Sequence, residues 1–379
     1  MSIILKGNGI SSGDNEKIIP NEVKNVHISG FNTKVYIKFS DPDDVIINHS
    51  TLSIWNKTVL VRNNNHVPTS VNDGTIIINN VTRDKYKTNA YIDSNLTNNK
   101  IYYYRFFTYD NDKCTNFSSN MIFQVKVLVA DPILKNNDWA TINAVAESGN
   151  ASSIWNIGDE VGSIQCKIPK NIDDDFTNPN NISTTNIVFQ IWDFNHYDKA
   201  DGTGKAGIVF GMKYLYNTFF GYTKSSSNSS LDTYGGWTEC DARLFAMPFI
   251  YENMPSELKP YIKTVGIYSN NDEYYKPDEV YSEDKIFIPG FKEINTKYAS
   301  LHETKQTRFS CFTDNASVNK GIYWGENNIS SGQTYVTRST QYGVDGIAAS
   351  AGTWAVIKAD SGVDIYFDKY EYLMLVFNV

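Results

Sequence analysis

The stretch HYDKADGTGKAG, residues 196–207, contains groups that could hold a ligand. Asp198 and Asp201 are spaced like the oxygen ligands of a cation, and residues 202–205 resemble part of a phosphate-binding loop. A nucleotide site, a calcium site and a simple turn are therefore the three interpretations to compare, because the first two would place the chain among nucleotide- or calcium-dependent proteins.

The phosphate-binding interpretation depends on the spacing of the glycines. A Walker A loop requires Gly, four further residues, and then Gly-Lys-Ser/Thr. Counting back from Gly204-Lys205 places Lys199 where the first Gly must lie, and Ala206 replaces the hydroxyl that would bind Mg²⁺. The stretch therefore lacks the motif of a nucleotide site.

The calcium interpretation fails in its regular form. An EF-hand loop that began at Asp198 would have Lys205 and Ala206 in its body and would end on Val209 instead of a bidentate Glu. An irregular site that uses Asp198, Asp201 and backbone oxygens stays open as an alternative. The Asp and Gly content favours a tight turn after a strand that ends at Phe194.

The remaining residues form no familiar catalytic motif. The five histidines show neither HxxxH nor HExxH spacing, no GxSxG elbow occurs, and no paired-carboxylate cleft is evident. His196, beside Asp193 and Asp198, could act as a base in a cleft, or it could be a loop histidine with local hydrogen bonds. We therefore expect no catalytic residues, no metal and no cofactor, and a protein that is not an enzyme.

Composition limits the classes of partner. The 379 residues favour two domains, and the formal net charge of -8 without a basic run makes nucleic acid an unsuitable partner. No stretch approaches the ~20 apolar residues of a membrane span, so we expect no membrane insertion. The short apolar run at residues 3–5 predicts no signal peptide, which favours synthesis in a bacterial cytoplasm.

The first third of the chain has the alternation of β-strands. Residues 1–20 are a Gly/Ser-rich arm, and residues 21–128 alternate apolar and polar positions at the period of a strand. The alternating segments are VYIKF, LSIWNKTVLVR, TIII, IYYYRFFTY and FQVKV. Short strands at such intervals predict an all-β sandwich.

Three segments of this region carry a resemblance. DPDDV, the strand tryptophan Trp55, and YIDSNLTNNKIYYYRFFTYD resemble a fibronectin type III module of the variety found in bacteriophage tail and bacterial surface proteins. The resemblance implies that Tyr102 or Tyr104 is the tyrosine that packs the two sheets at a corner. It also implies a spacer, since such modules commonly separate other domains.

Residues 129–379 predict an α+β domain. Asp138 can cap a helix through WATINAVAESG, and Thr238 and Asp241 resemble a capping pair for a helix WTECDARLFAM that Pro248 ends. The segment GIVFGMKYLYNTFF fits a strand or a helix. The last third returns to strand patterns, including TYVTRS, TWAVIKA and YLMLVFNV.

This second region carries its own resemblance. The ordered series NDWATINAVAESGNASSIWNIGD, IWDFNHYDKADGTGKAGIVFGMK, GGWTECDAR, PSELKPYIKTV, DKIFIPGFKEI and VTRS resembles a domain of unknown function that is frequent in phage tail-tip and prophage proteins. That family is similar to C-type-lectin-like folds. Its aromatic-Leu-Arg-Ser motif is replaced here by Val336-Thr337-Arg338-Ser339, so the resemblance implies an altered contact surface.

Aromatic residues with polar ends are frequent in the last third. Such side chains stack on sugars and anchor protein interfaces, and Arg adds bidentate contacts. The alternative is that most of them are core residues. The candidate ligand-binding residues are Tyr323, Trp324, Tyr335, Arg338 and Tyr342.

The two resemblances imply a bacteriophage tail-tip or baseplate protein, or its equivalent in a phage-derived contractile bacteriocin. The expected location is the virion tail or the bacteriocin particle. The expected partners are other tail proteins and a glycan or protein of the bacterial surface, and a homotrimer is expected because tail tips have cyclic symmetry. The alternative is a structural baseplate or neck component that contacts only other tail proteins.

Overall fold

A computed structural model describes residues 19–111, 117–172, 174–214, 216–220, 236–270, 279–294, 303–312, 334–341, 353–358 and 371–379. These residues are mostly β-strand.

The chain divides into two compact units. Unit 1 contains the segment that ends at Val26 together with residues 37–93 and 100–126, and unit 2 contains residues 27–36, 94–99 and 127–379. The predicted boundary after residue 128 lies close to the point where unit 2 resumes, but that prediction assigns residues 27–36 and 94–99 to the sandwich.

The first ten strands account for the regular structure up to residue 128, and the described part of this region contains no helix, as predicted. In unit 1, β5 pairs with β6 and β8, and β8 pairs with β10 and β9, all antiparallel. β3 and β4 form a separate hairpin. The strands are β1 (Lys24–Phe31), β2 (Lys34–Ser40), β3 (Val45–Ile47), β4 (Ser50–Ser53), β5 (Trp55–Asn63), β6 (Thr75–Asn80), β7 (Tyr91–Asp93), β8 (Ile101–Asp110), β9 (Phe117–Ser118) and β10 (Ile122–Leu128).

The core of unit 1 follows the predicted alternation over much of its length. Phe39, Tyr104 and Phe106 are fully buried. Phe107 on the opposite side of β8 is also buried, because it packs in a second cluster with Val59. A strand that is covered on both faces reads as a continuous apolar run instead of an alternating one.

Tyr104 anchors β8 through its hydroxyl group. The hydroxyl donates a hydrogen bond to Asp93 Oδ2 at 2.9 Å, and Arg62 Nη1 lies 2.6 Å from Asp93 Oδ1. Burial, followed by the neighbouring charge of Asp93, raises the pKa of Tyr104 far above its usual value. In a tyrosine corner the tyrosine hydroxyl donates to a backbone carbonyl. The hydroxyl of Tyr104 donates to a side-chain carboxylate instead, so Tyr104 differs from a tyrosine corner in its acceptor.

Unit 2 contains both helices and strands. Its elements are α1 (Trp139–Glu147), β11 (Glu160–Pro169), β12 (Ile182–Phe194), β13 (Ile208–Met212), β14 (Tyr216–Phe220), α2 (Gly236–Glu239), a π-helix (Ala242–Ala246), α3 (Met247–Glu252), β15 (Val265–Asn270), β16 (Glu279–Asp284), β17 (Ile286–Phe287), α4 (Phe291–Ile294), β18 (Thr334–Gln341), β19 (Thr353–Lys358), β20 (Glu371–Leu373) and β21 (Val376–Asn378). Short 3-10 turns lie at Leu134–Asn136, Ala151–Ser153, Pro179–Asn181 and Lys259–Tyr261.

The main sheet of unit 2 has the order β11-β12-β13-β21-β17 and is antiparallel throughout. Two smaller sheets have the orders β14-β20-β18-β19 and β15-β16. Phe210 on β13 packs against Trp139 of α1 and Phe377 of β21, with ring centroids 5.7 and 5.4 Å away. A side chain at Gly211 would collide with the ring of Trp192, so this close packing of β12 and β13 requires glycine.

The predicted helices have mixed outcomes. The cap at Asp138 is confirmed, because its Oδ1 accepts the backbone N–H of Thr141 at 2.7 Å. The prediction that Pro248 ends a helix is wrong: the π-helix Ala242–Ala246 continues directly into α3, and Pro248 is the second residue of α3. The undecided segment GIVFGMKYLYNTFF contains the strands β13 and β14. None of the helices in the described part of the chain is long and apolar enough to cross a membrane.

Candidate functional site

The 196–207 stretch is a hairpin, which confirms the predicted turn. Asp198 and Lys205 form an antiparallel bridge, and the backbone N–H of Lys199 donates to the carbonyl of Gly204 at 2.8 Å. Gly204 has a φ of 105°, which L-residues with a side chain rarely adopt. The glycines of the stretch therefore serve the path of the chain.

Backbone bonds attach this hairpin to the segment around β15. Lys199 forms a bridge with Val265, Ala200 N–H donates to the carbonyl of Thr264 at 3.0 Å, and Gly266 N–H donates to the carbonyl of Asp198 at 3.0 Å. The carbonyls of Asp198 and Gly204 are thus occupied by protein donors. The turn is fixed within unit 2 by its own main chain.

Five charged or titratable side chains of unit 2 meet beneath the hairpin, and we call them the Glu147 cluster: Glu147, Lys199, Lys263, His27 and Asp201. Glu147 lies at the end of α1, and its carboxylate oxygens are 3.0 Å from Lys199 Nζ and 2.8 Å from Lys263 Nζ. His27 Nδ1 lies 3.5 Å from Glu147, and its Nε2 lies 2.6 Å from Asp201 Oδ2. The side chains of Lys199 and Glu147 are 2% and 8% exposed, so the pair is buried.

The cluster stabilises its charged forms. Burial alone would raise the pKa of Glu147, but the hydrogen bond from His27 and the two ammonium groups hold it well below the usual value. Burial likewise opposes ionisation of Asp201, whereas hydrogen bonds from His27 and Thr203 hold the pKa of this carboxyl far below its usual range. Burial would lower the pKa of His27, yet its bonds to Asp201 and Glu147 raise it. Each charge is balanced by a neighbour of opposite sign.

Asp201 has little capacity left for a cation. Its Oδ1 accepts hydrogen bonds from the backbone N–H of Thr203 at 2.9 Å and from the Thr203 hydroxyl at 2.6 Å. Its Oδ2 faces His27. Among the residues that the structure describes, no group of three or more His, Cys, Asp or Glu side chains is arranged to hold a metal ion.

His196 is a loop histidine with local hydrogen bonds, which is one of the two alternatives that the sequence left open. Its Nδ1 lies 2.8 Å from Asp193 Oδ2, and Asp193 Oδ1 accepts the hydroxyl of Ser310 at 2.7 Å. Burial would raise the pKa of Asp193, but hydrogen bonds from His196, Ser310 and the Phe194 N–H lower it. The carboxylate is therefore held in its ionised form, beside the imidazole.

A hydroxyl group lies on the other side of the same imidazole. Thr307 Oγ1 is 3.4 Å from His196 Nε2, longer than the ~2.6–3.2 Å reach of a nucleophile and its base. The imidazole packs against the rings of Tyr197 and Phe309, each 4.6 Å away between centroids. We interpret these contacts as the attachment of residues 303–312 to the end of β12.

The predicted ligand-binding residues fall in the last sheet or beyond the described residues. Tyr335 and Arg338 belong to β18, where Tyr335 pairs through its backbone with Ile357 of β19 and Tyr372 of β20. Tyr323, Trp324 and Tyr342 lie outside the described residues. That the five residues form one site stays a prediction.

A groove of about 480 Å³ lies elsewhere in unit 2, and we call it the Tyr36 groove. Its volume is within the ~300–1,000 Å³ range of small-molecule sites. Sequence reasoning missed it because three distant segments form it, none of which contains a motif. The lining residues are Phe31, Asn32, Lys34, Tyr36, Val129, Ala130, Pro132, Asn150, Ser153 and Ile154.

Local structure explains how these residues come together. Asn32 and Thr33 form a two-residue turn between β1 and β2, with φ values of 46° and 63°. Positive φ at both positions is typical of the tight turns that join antiparallel strands. Phe31 pairs in parallel with Leu128 at the end of β10, so the chain leaves β10 beside this turn. The 3-10 turn Ala151–Ser153 brings the third segment.

The three cysteines that the structure describes are buried. Cys166, Cys240 and Cys311 are free thiols. Burial raises the pKa of both Cys166 and Cys240 to about 12. Because only the thiolate is nucleophilic, these two groups are unreactive at neutral pH.

Comparison of the sequence with models of known protein families finds no match. Comparison with curated proteins also finds no relative.

Proposed function

We propose that the chain is a tail-tip or baseplate protein of a bacteriophage, or of a phage-derived contractile bacteriocin, and that it binds a receptor on the bacterial surface. The observation that carries the proposal is the Tyr36 groove, which combines aromatic and aliphatic residues with amide, hydroxyl and ammonium groups. Such a combination suits recognition of a polar surface molecule, since the apolar part provides contact area and the polar groups provide orientation.

The two sequence resemblances supply the rest of the proposal. Residues 21–128 are the fibronectin type III-like spacer, residues 129–379 the C-type-lectin-like binding domain, and residues 1–20 the segment that attaches to the tail. Tyr335 and Arg338, with Tyr323, Trp324 and Tyr342, form a second contact surface in this proposal. A homotrimer fits the function because linked weak sites raise avidity by ~10²–10⁴.

The experiment is binding of the fluorescently labelled full chain to a panel of Gram-positive and Gram-negative bacteria, measured by flow cytometry. The expected result is saturable binding to a subset of strains that unlabelled protein displaces. Light scattering on the same preparation measures the oligomeric state. If the protein is a trimer and no strain of the panel shows saturable binding, the proposal that this chain binds a receptor on these bacteria is rejected.

A structural baseplate or neck component is the second candidate. It is favoured by the large aliphatic side chains that unit 1 exposes, among them Val81 at 70%, Ile46 at 62% and Ile76 at 50%. Exposed apolar side chains fit contacts with other proteins where they adjoin one another in a patch. Replacing Ile46 and Val81 together with Ser should reduce incorporation of the chain into assembled tails, if unit 1 makes these protein contacts.

A further inference from the structure

The Tyr36 groove carries a single charge. Lys34 is the one charged residue among those that line it. Lys34 is exposed, and no ion pair or hydrogen bond of its ammonium group occurs within the described part of the chain. This contrasts with Lys199 and Lys263, which both lie against Glu147. An ammonium group without a carboxylate neighbour attracts an anion.

The polar atoms beside Lys34 are oriented by one another. Asn150 Nδ2 lies 3.0 Å from Tyr36 Oη and 3.1 Å from both the carbonyl and the hydroxyl oxygen of Ser148, so its two hydrogens are shared among three acceptors. Tyr36 Oη is therefore an acceptor in this bond, and its own hydrogen has no acceptor among the described residues. Asn150 Oδ1 has no donor among them either. One donor and one acceptor in fixed positions thus remain for a ligand.

The remaining lining residues provide a surface for a ring. Phe31 and Tyr36 are 7% and 8% exposed, so they lie at the buried side of the groove. Val129 is 52% exposed, and the polar residues Asn32, Lys34 and Ser153 are also exposed. A ligand with an apolar face, several hydroxyl groups and a negative charge matches all three features. A sugar ring that bears a carboxylate or a phosphate has this chemistry.

We propose that the Tyr36 groove binds an acidic sugar of a bacterial surface glycan, with Lys34 facing the anionic group and the Tyr36 hydroxyl and Asn150 Oδ1 bonded to sugar hydroxyls. The inference rests on the proposed receptor-binding function, whose ligand it specifies. The net charge of -8 does not oppose it, because charges separated by more than ~8–10 Å are largely screened at physiological salt.

The test uses defined sugars and the full chain. Digalacturonate supplies the carboxylate, glucose 6-phosphate supplies the phosphate, and digalactose is the neutral counterpart of the first. Binding is measured by NMR titration. We expect the wild type to bind at least one of the two anionic sugars at least tenfold more tightly than digalactose, and which one binds separates the two sources of charge.

Substitutions assign the binding to the groove. Lys34→Gln should weaken binding of the anionic sugar about tenfold, the size of one charge-assisted hydrogen bond, and Lys34→Arg should retain most of it. Tyr36→Phe should weaken it severalfold. Lys167→Gln is the matched control, because Lys167 is an exposed strand lysine of unit 2 outside the groove. Equal binding by the wild type and Lys34→Gln, or equal affinity of the wild type for anionic and neutral sugars, would overturn the inference.

Cell binding separates this inference from the proposed function. If the wild type binds bacteria and Lys34→Gln binds them equally well, the function stands and the groove is not its receptor site. If the wild type binds no bacteria but binds an anionic sugar in a Lys34-dependent way, the groove assignment stands and the receptor function fails.

Discussion

The Glu147 cluster and the Tyr36 groove are both polar regions of unit 2, but they differ in how their polar groups are used. In the cluster, Glu147 and Asp201 have cationic neighbours within hydrogen-bonding distance, and the Lys199–Glu147 pair is buried. In the groove, Lys34 has no anionic neighbour among the described residues, and Tyr36 and Asn150 bond to each other while keeping one donor and one acceptor for a ligand. Pairing, more than residue type, distinguishes a structural site from a binding site.

The largest effect is expected from Glu147→Gln. This change leaves the ammonium groups of Lys199 and Lys263 close together without their carboxylate, and breaking a buried ion pair costs ~3–5 kcal/mol. Urea unfolding should show a loss of that size. The control is Glu252→Gln, whose carboxylate is 65% exposed and pairs with Lys259 at 3.0 Å. Exposed pairs contribute at most about 1 kcal/mol. Similar losses in the two variants would contradict the structural role of the cluster.

Unit 1 offers a smaller effect of the same kind. Tyr104→Phe removes the hydroxyl that donates to Asp93 and leaves that carboxylate with one fewer donor in a buried position. The expected cost is ~1–3 kcal/mol in the free energy of unfolding. Tyr103→Phe is the control, since Tyr103 lies on the same strand, is less buried and should change stability by less than ~0.5 kcal/mol. If Tyr104→Phe left the free energy of unfolding unchanged, the hydrogen bond to Asp93 would make no net contribution to stability.

The sequence predicted the elements better than it predicted the sites. Period-2 strands such as β2 and β8, and the cap at Asp138, depend on interactions between near neighbours, so their patterns are visible in the chain. The Tyr36 groove joins residues more than 90 positions apart and requires the tertiary fold. The failure at Pro248 has a local cause, because a proline inside a helical pattern can kink a helix as well as end it.

The Glu147 cluster should also make stability depend on pH through His27. The pKa of His27 is raised in the folded protein, so its contribution is fully present below the unfolded value of ~6.5 and is lost as pH rises through the folded value. The groups that face it are Glu147, Asp201 and Lys199. His27→Gln should therefore cost about 1 kcal/mol at pH 5.5 to 6, and less above pH 8. Urea midpoints at four pH values measure this difference. A difference that grew with pH would reverse the assignment of charge to His27.

The smallest effect is expected from calcium, and it tests the hairpin directly. If residues 196–207 were a cation site, Ca²⁺ would stabilise the folded protein by mass action, raising the melting temperature with concentration. The carboxylate oxygens of Asp201 already contact Thr203 and His27. Asp198 lies 3.4 Å from Lys205 Nζ, which is itself a cation. We expect chelator and millimolar Ca²⁺ to give the same melting temperature by calorimetry. The contrary result would be a rise of several degrees in the melting temperature with Ca²⁺ that Asp198→Asn abolishes. It would mean that Asp198 binds the ion in spite of its contact with Lys205. The contrast between the paired charges of the Glu147 cluster and the unpaired Lys34 of the Tyr36 groove would then not predict where ligands bind.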